Sequence, residues 1–334
     1  MTAAHRGAEA PAFDADAHAW AATLAALPAT GPARTGPEPC TDAQLAARMD
    51  LLDVPERDRD TVLRTWPGHR VDGELWRALC ACHRALFDDT VPPSRLPWPD
   101  APARLGAHGR HFYVHLCLAA LPRLLETHRR LGVDPRVTRD TVADVGAKMA
   151  TYRLAHRTGG LDRQRWLVRH FRATLFRVGR LQFDRAVLAA DAYGGAPPDG
   201  PADGEHVLEL HIPGDGPLTP GLCDASLREG ARFFATHFPG ERHTQAVCRS
   251  WLLDEQLAAL LPPTSNILGF QRRFTLFGAS QPCDDAVLEF VFHAPPGTAD
   301  LARLPRRTTL QRAVLTHLEG GGHFRQRCGR LPLP

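Results

Sequence analysis

Apolar positions follow two different periods along this chain, and the change of period divides it. From Asp42 the spacing is helical, with Leu45, Met49 and Leu52 on one stripe and Leu75, Leu79, Cys82 and Leu86 on another over Glu74 to Phe87. The strongest helical pattern runs from His111 to Leu131, and Pro122 inside it is expected to kink the helix by crowding the Leu118 carbonyl. A further helix is expected over Thr138 to Leu154, ending near Gly159-Gly160. Beyond Gly160, Trp166 to Phe171 still reads as helix, but Phe176 to Phe183 alternates as a strand does. Glu205 to Ile212 alternates too, setting Leu208, Leu210 and Ile212 on one face and Val207, Glu209 and His211 on the other. The breakers Pro213 to Pro217 end that run, and Thr219 or Asp224 is placed to cap a helix through Ser226, Leu227, Phe233 and Phe234. Cys248 to Asp254 reads as the next strand, parallel to the first because a helix separates them. Helices are expected at Glu255 to Leu261 and Thr308 to Leu318, a hairpin of strands at Ile267 to Phe277 and Ala286 to His293, and a short strand at Phe324 to Leu331.

This order predicts an α/β (α+β) architecture, a helical domain at 41–160 followed by a mixed sheet layered with helices at 161–334. Residues 1–40, rich in Ala, Pro and Gly apart from a helical patch at His18 to Leu27, are expected to be partly disordered, and Pro92 to Pro99 forms a breaker-rich loop. The chain's 334 residues, 43% of them hydrophobic, suffice for two soluble domains. A net charge of +3 and the absence of a basic patch interleaved with aromatics argue against a nucleic-acid or anionic-membrane partner. Lys148 is the single Lys among 40 basic residues, so Arg carries little information by itself here. With no apolar leader and no apolar run of membrane-spanning length, a cytoplasmic location is expected, and the eight scattered Cys read as thiols.

Several runs carry a resemblance: His211-Ile212-Pro213, Gly216-Pro217-Leu218, Ser250 to Asp254, Leu261 to Ile267 and Phe270 to Phe274. They resemble bacterial two-domain acyltransferases, which pair a helical N-acyltransferase N-terminal domain with a C-terminal domain similar to the GNAT superfamily of N-acetyltransferases. The resemblance spans roughly residues 40–334 and is sharpest over 205–275. It implies a GNAT-like sheet domain and an acyltransferase that uses a coenzyme A thioester, with a small-molecule acceptor left unspecified. The chain departs from the superfamily at two points. Asp254 to Leu260, where a glycine-rich pyrophosphate loop is expected before a helix, has no Gly, and no Tyr follows Tyr193 to act as general acid.

Acyl transfer to an amine needs a base, donors for an oxyanion and an acid for the leaving thiolate. Glu209 and His211, side by side on one strand face, are candidates for the base; the alternative is an ordinary solvated face. Ser250 or Cys248 is a candidate acid, and Cys248 a candidate nucleophile, unless it is a small buried residue. Trp251 reads as core before acyl-pocket wall, and Asp254 as a helix cap. Ser265 and Asn266, with Thr264, can offer donors to the cofactor or simply make a turn; Arg272 and Arg273 can clamp phosphates or be solvated. Glu289 and His293 repeat the carboxylate–imidazole theme on another expected strand. His111 and His115 share a helix face and read as packing, Cys80, Cys82 and His83 resemble half a metal site without its other half, and no metal is expected. Two other readings stay open: a thiol hydrolase built from Cys248, His211 and Glu209, and a GNAT-like protein that binds without turnover.

Overall fold

The computed structural model describes residues 13–27, 36–71, 73–91, 96 and 98–334. Half of residues 1–40, where partial disorder is expected, and most of the loop at Pro92 to Pro99 lie outside them. The chain forms two compact units, Met1–Thr174 and Leu175–Pro334. The division falls after the expected Gly160, because the helix at Gln164–Phe171 belongs with the first unit: its Gln164 side chain donates to the Trp98 carbonyl, 3.1 Å.

The first unit is helical, with α1 (Ala15–Ala25), α2 (Asp42–Leu51), α3 (Glu56–Arg64), α4 (Glu74–Leu86), α5 (Gly106–Arg110), α6 (Phe112–Leu131), α7 (Pro135–Val142), α8 (Asp144–His156) and α9 (Gln164–Phe171). Local signals fix many ends. Thr41 and Gln44 form a capping box at α2, and Gly132 in a left-handed conformation closes α6. Pro122 lies within α6, as expected. The helix expected at Thr138 to Leu154 is two helices, since Asp134 and Pro135 start α7 early and the chain restarts at Asp144. Gly146 brings α8 against the end of α2: its amide donates to the Leu52 carbonyl at 3.0 Å, and a Cβ there would lie 1.9 Å from the Asp53 carbonyl oxygen. Among the described residues no helix is long and apolar enough to cross a membrane.

The second unit is a six-stranded mixed sheet with helices: β1 (Leu175–Val178), β2 (Leu181–Val187), β3 (His206–His211), α10 (Pro220–His237), β4 (Gln245–Ser250), α11 (Leu257–Leu260), α12 (Asn266–Gln271), β5 (Thr275–Pro282), α13 (Asp284–Phe292), α14 (Thr309–Glu319) and β6 (Arg325–Pro332). Strand order is β1-β2-β3-β4-β6-β5. β3 and β4 are parallel, as the intervening helix requires, and every other neighbouring pair is antiparallel.

Three expectations are corrected here. The strand at Phe176 to Phe183 is a hairpin, because Gly179 adopts φ +67° and turns the chain between β1 and β2. Ile267 to Phe277 begins in α12, capped by Ser265, then turns, and only its end enters β5. Ala286 to His293 is α13, so the expected hairpin does not form and Glu289 and His293 lie one helical turn apart. Its apolar residues are needed on a helix face: Val287 and Val314 join Trp251, Leu257, Leu261, Leu268 and Phe324 in a satellite core. Trp251 is thus core.

Register sorts the sheet's two faces. One face presents Phe176, Leu181 and Phe183 with Leu208, Leu210, Ala246 and Cys248, and α10 covers it through Phe233 and Phe234. Gly230 permits this approach, since a Cβ there would sit 2.6 Å from the Phe183 ring. The other face carries Gln182, Asp184 and Ala186 on β2, Val207, Glu209 and His211 on β3, then Val247, Cys328 and Phe277.

Candidate active site

The polar face of β2 and β3 is built by pairing. Asp184 lies directly opposite Glu209, and Gln182 opposite His211. Asp184, Glu209 and His211 each place a ligand-type atom within 4.8 Å of the others. Glu209 Oε2 and His211 Nε2 are 3.8 Å apart, with side chains 13% and 19% exposed, so the pair is neither a solvated face nor sealed core. The β3–β4 ladder pairs only Leu208 with Ala246 and Glu209 with Val247, and stops two residues short of His211. The two parallel strands therefore part beside the pair.

A third group arrives from a loop. Tyr193 ends a 3-10 turn at Ala190–Tyr193 and hydrogen-bonds Glu209 through its hydroxyl. Burial, then the adjacent Glu209 charge, pushes its phenol well above the ordinary range. The turn is seated by glycine: Gly278, at φ +66°, lies where a Cβ would meet the Tyr193 carbonyl oxygen at 2.0 Å. Register shifts between Phe277 and Gln281 of β5 open that seat, the Phe277 ring stacks on Tyr193 at 5.9 Å, and Arg249 donates to the Ala192 carbonyl at 3.2 Å. The tyrosine beside Glu209 therefore comes from the loop that precedes β3. Neither Tyr193 nor Asp184 stood out in the sequence; the polar Gln182 and Asp184 flanking Phe183 were the available signal for the second.

The connection from β3 into α10 is held by the β1–β2 hairpin. Arg180 donates to the carbonyls of Pro217 (3.0 Å), Pro213 (2.7 Å) and Gly216 (2.5 Å), and Arg177 makes a two-pronged pair with Asp215 at 2.5 and 3.2 Å. Ser226 of α10 accepts from the Leu181 amide at 3.0 Å. At the start of α10 Thr219 makes no side-chain cap and Pro220 has no N–H, so the amides of Gly221 and Leu222 have no intrahelical acceptor. The glycine-bearing connection into a long helix is therefore this one, not the segment after Leu253. There β4 enters a 3-10 turn, and buried Asp254 accepts from the amides of Gln256 (3.1 Å) and Arg325 (2.7 Å), which is structural work.

The remaining candidates scatter. Cys248 is 1% exposed on the sheet face opposite Glu209 and His211, with its thiol pushed far up by burial, so the arrangement of Cys248, His211 and Glu209 as a hydrolase does not form. Ser250, on that same opposite face, accepts from the Leu252 amide at 3.1 Å and caps the 3-10 turn. Ser265 accepts from the Ile267 amide at 3.2 Å and caps α12, and Asn266 is exposed. Arg272 is exposed and donates to the Pro263 carbonyl at 3.2 Å. Arg273 differs: it pairs with Asp224 and donates to the Pro220 carbonyl at 3.3 Å, which sets it beside the first turn of α10. In the helical unit His111 bonds the Ala107 carbonyl at 2.9 Å and buried His115 the Val62 carbonyl at 3.1 Å, which is packing, and Cys80, Cys82 and His83 join no ligand cluster among the described residues.

The N-acyltransferase N-terminal domain model matches residues 43–173 and the GNAT-like C-terminal domain model residues 175–331. A crystal structure of an acyltransferase in complex with CoA and 10C-teicoplanin is 32% identical, covers 96% of this chain and 97% of its own, and superposes with a TM-score of 0.83. An acyltransferase in complex with decanoyl-CoA and teicoplanin gives the same values. An acyltransferase in complex with decanoyl-CoA is 35% identical over the same shares, with a TM-score of 0.82. No curated protein sequence matches the chain. Two adjoining domains matched in order, on a fold shared over nearly the whole length, mean that this chain belongs to the acyltransferases that join an N-acyltransferase N-terminal domain to a GNAT-like C-terminal domain.

Proposed function

We propose that this protein transfers an acyl chain from an acyl-CoA thioester to an amine of a small-molecule acceptor by direct attack, with Glu209 and His211 as the base. The observation that carries this reading is likeness along the full chain, at 32–35% identity, to acyltransferases crystallised with CoA or decanoyl-CoA. Binding without turnover has no comparable support.

The acceptor enters as an ammonium, and His211 takes its proton while Glu209 stabilises the imidazolium that results. Tyr193, through its bond to Glu209, is the positioning residue that holds the carboxylate toward the imidazole. The free amine then attacks the thioester carbonyl carbon. A C–N bond forms, the C–S bond breaks as the oxyanion collapses, the thiolate takes a proton from the imidazolium, and the amide nitrogen releases one more proton to solvent. Atoms and charge balance without metal or redox partner.

The donor's phosphates have a place that fits their chemistry. The amides of Gly221 and Leu222 at the α10 N-terminus, after a loop stiffened by Arg180, suit an anion, and Arg273 stands beside them. The β3 backbone beyond Glu209, past the end of the parallel ladder, offers hydrogen bonds to the amides of the pantetheine arm. Purified protein incubated with octanoyl-CoA or decanoyl-CoA and a teicoplanin-type glycopeptide amine is expected to release free thiol, with an acceptor heavier by the acyl group in mass spectra. Thiol release that does not depend on any amine, or none with either donor, would overturn the reading.

A further inference from the structure

A second polar cluster lies on the other face of the sheet, near the start of β3 and away from the acyl-transfer group. His206 pairs with Val187, which sets it on the face opposite Glu209, and Glu241 and His243 come from the connection between α10 and β4. One ligand-type atom from each of the three residues lies within 4.8 Å of the other two. The His243 side chain is only 4% exposed, its Nε2 stands 3.2 Å from Glu241 Oε2, and neither of its buried ring nitrogens has a hydrogen-bond partner. A buried imidazole nitrogen left in that state costs free energy that nothing described around it returns.

The carboxylate beside it is already fixed in place. Arg185 donates from Nε to Glu241 Oε2 at 2.9 Å and from a terminal nitrogen to Oε1, while its guanidinium lies over the Phe238 ring at 3.7 Å. A carboxylate oriented by a second hydrogen-bonding group is what a metal ligand needs, and each oxygen keeps a further lone pair for coordination.

We propose that His206, Glu241 and His243 form a binding site for a divalent transition-metal ion of zinc type, separate from the acyl-transfer group. Two imidazoles and one carboxylate suit zinc, nickel or copper and not calcium or magnesium, which prefer all-oxygen sets. Tetrahedral ligands about 2 Å from zinc stand about 3.3 Å apart, and exposed His206 is free to swing in and close the remaining distance, with water as fourth ligand. The ion would tie the first residue of β3 to the α10–β4 connection.

The test is calorimetric titration of chelator-treated, full-length protein with Zn2+ alone, and with Co2+ followed by visible absorption. One ion per chain is expected, with tetrahedral Co2+ bands. His206→Ala and His243→Ala should each weaken binding by at least about tenfold, and His211→Ala should leave it unchanged. His206 is exposed, so its variant remains informative even where His243→Ala fails to fold. No saturable binding, affinity unaltered in His206→Ala, or loss of binding in His211→Ala, which would put the ion in the other cluster, would each overturn the assignment.

Discussion

Buried polar residues occur in both units, and what surrounds them differs. In the helical unit Asp144 and Arg172 serve structure. Asp144, its side chain 3% exposed, meets the His170 Nε2 at 3.2 Å, the Trp166 Nε1 at 2.9 Å and the Lys148 Nζ at 3.3 Å. Arg172 donates to the carbonyls of Ala85, Leu86, Asp88 and Val91, closing the end of α4. In the sheet unit Glu209 and His211 keep 13% and 19% exposure where two strands part, 3.8 Å from each other. Asp144 and Arg172 are spent on holding the fold, whereas Glu209 and His211 are held in place and still partly exposed.

The largest test of this contrast is Asp144→Ala, which strands Lys148 and His170 without their carboxylate. It should cost about 3–5 kcal/mol, the usual consequence of breaking a buried charge pair. Denaturant unfolding followed by Trp fluorescence will show it, because Trp20, Trp66, Trp76, Trp98 and Trp166, five of the six Trp, lie in the helical unit. Next in size, His211→Ala and Glu209→Gln should each slow amine-dependent thiol release by about a hundredfold, with the same unfolding midpoint as the parent. Equal losses of stability in all three variants would erase the distinction.

Acid acts on the helical unit through its buried rings. Burial, then its neighbour His111, holds His115 down at about 3, and burial holds His128 down at about 4. Such groups bind fewer protons folded than unfolded, so their contribution is complete above an ordinary His pKa of about 6.5. It is lost as pH falls toward the folded values, by at most about 1.4 kcal/mol per pH unit for each ring. Asp144 adds its share lower down. Burial would raise its pKa, but the bonds from His170 and the Lys148 charge outweigh that and hold it below the usual carboxylate range, so its support disappears under about pH 4. Trp fluorescence melts at pH 7.5 and 5.5 are expected to show the helical unit weakening. The smallest effect belongs to Ser250→Ala, where loss of the cap on the 3-10 turn should cost about 1 kcal/mol and leave turnover intact.

How far the chain could be read in advance follows from what kind of force sets each feature. Helices such as α2, α4, α6 and α14 carry their apolar stripes locally, α2, α6 and α14 with caps as well, and β3 followed by a helix and β4 left few topologies open. Ile267 to Phe277 and Ala286 to His293 are ambiguous in sequence because short apolar runs suit a helix or a strand equally. Only the satellite core around Trp251 and Phe324 decides between them.

Two features follow from the order of residues alone: the two-domain α/β arrangement, and the adjacency of Glu209 and His211, which strand alternation requires. Tertiary structure decided which candidates share a face. Strand register, set by non-local pairing, turned Cys248 and Ser250 away from that pair and brought Asp184 opposite it. A bulge and a glycine 85 positions further on delivered Tyr193 to Glu209, from position 193 to position 278. Alternation is a property of neighbours in the chain, whereas register and loop seating depend on residues that meet only after folding.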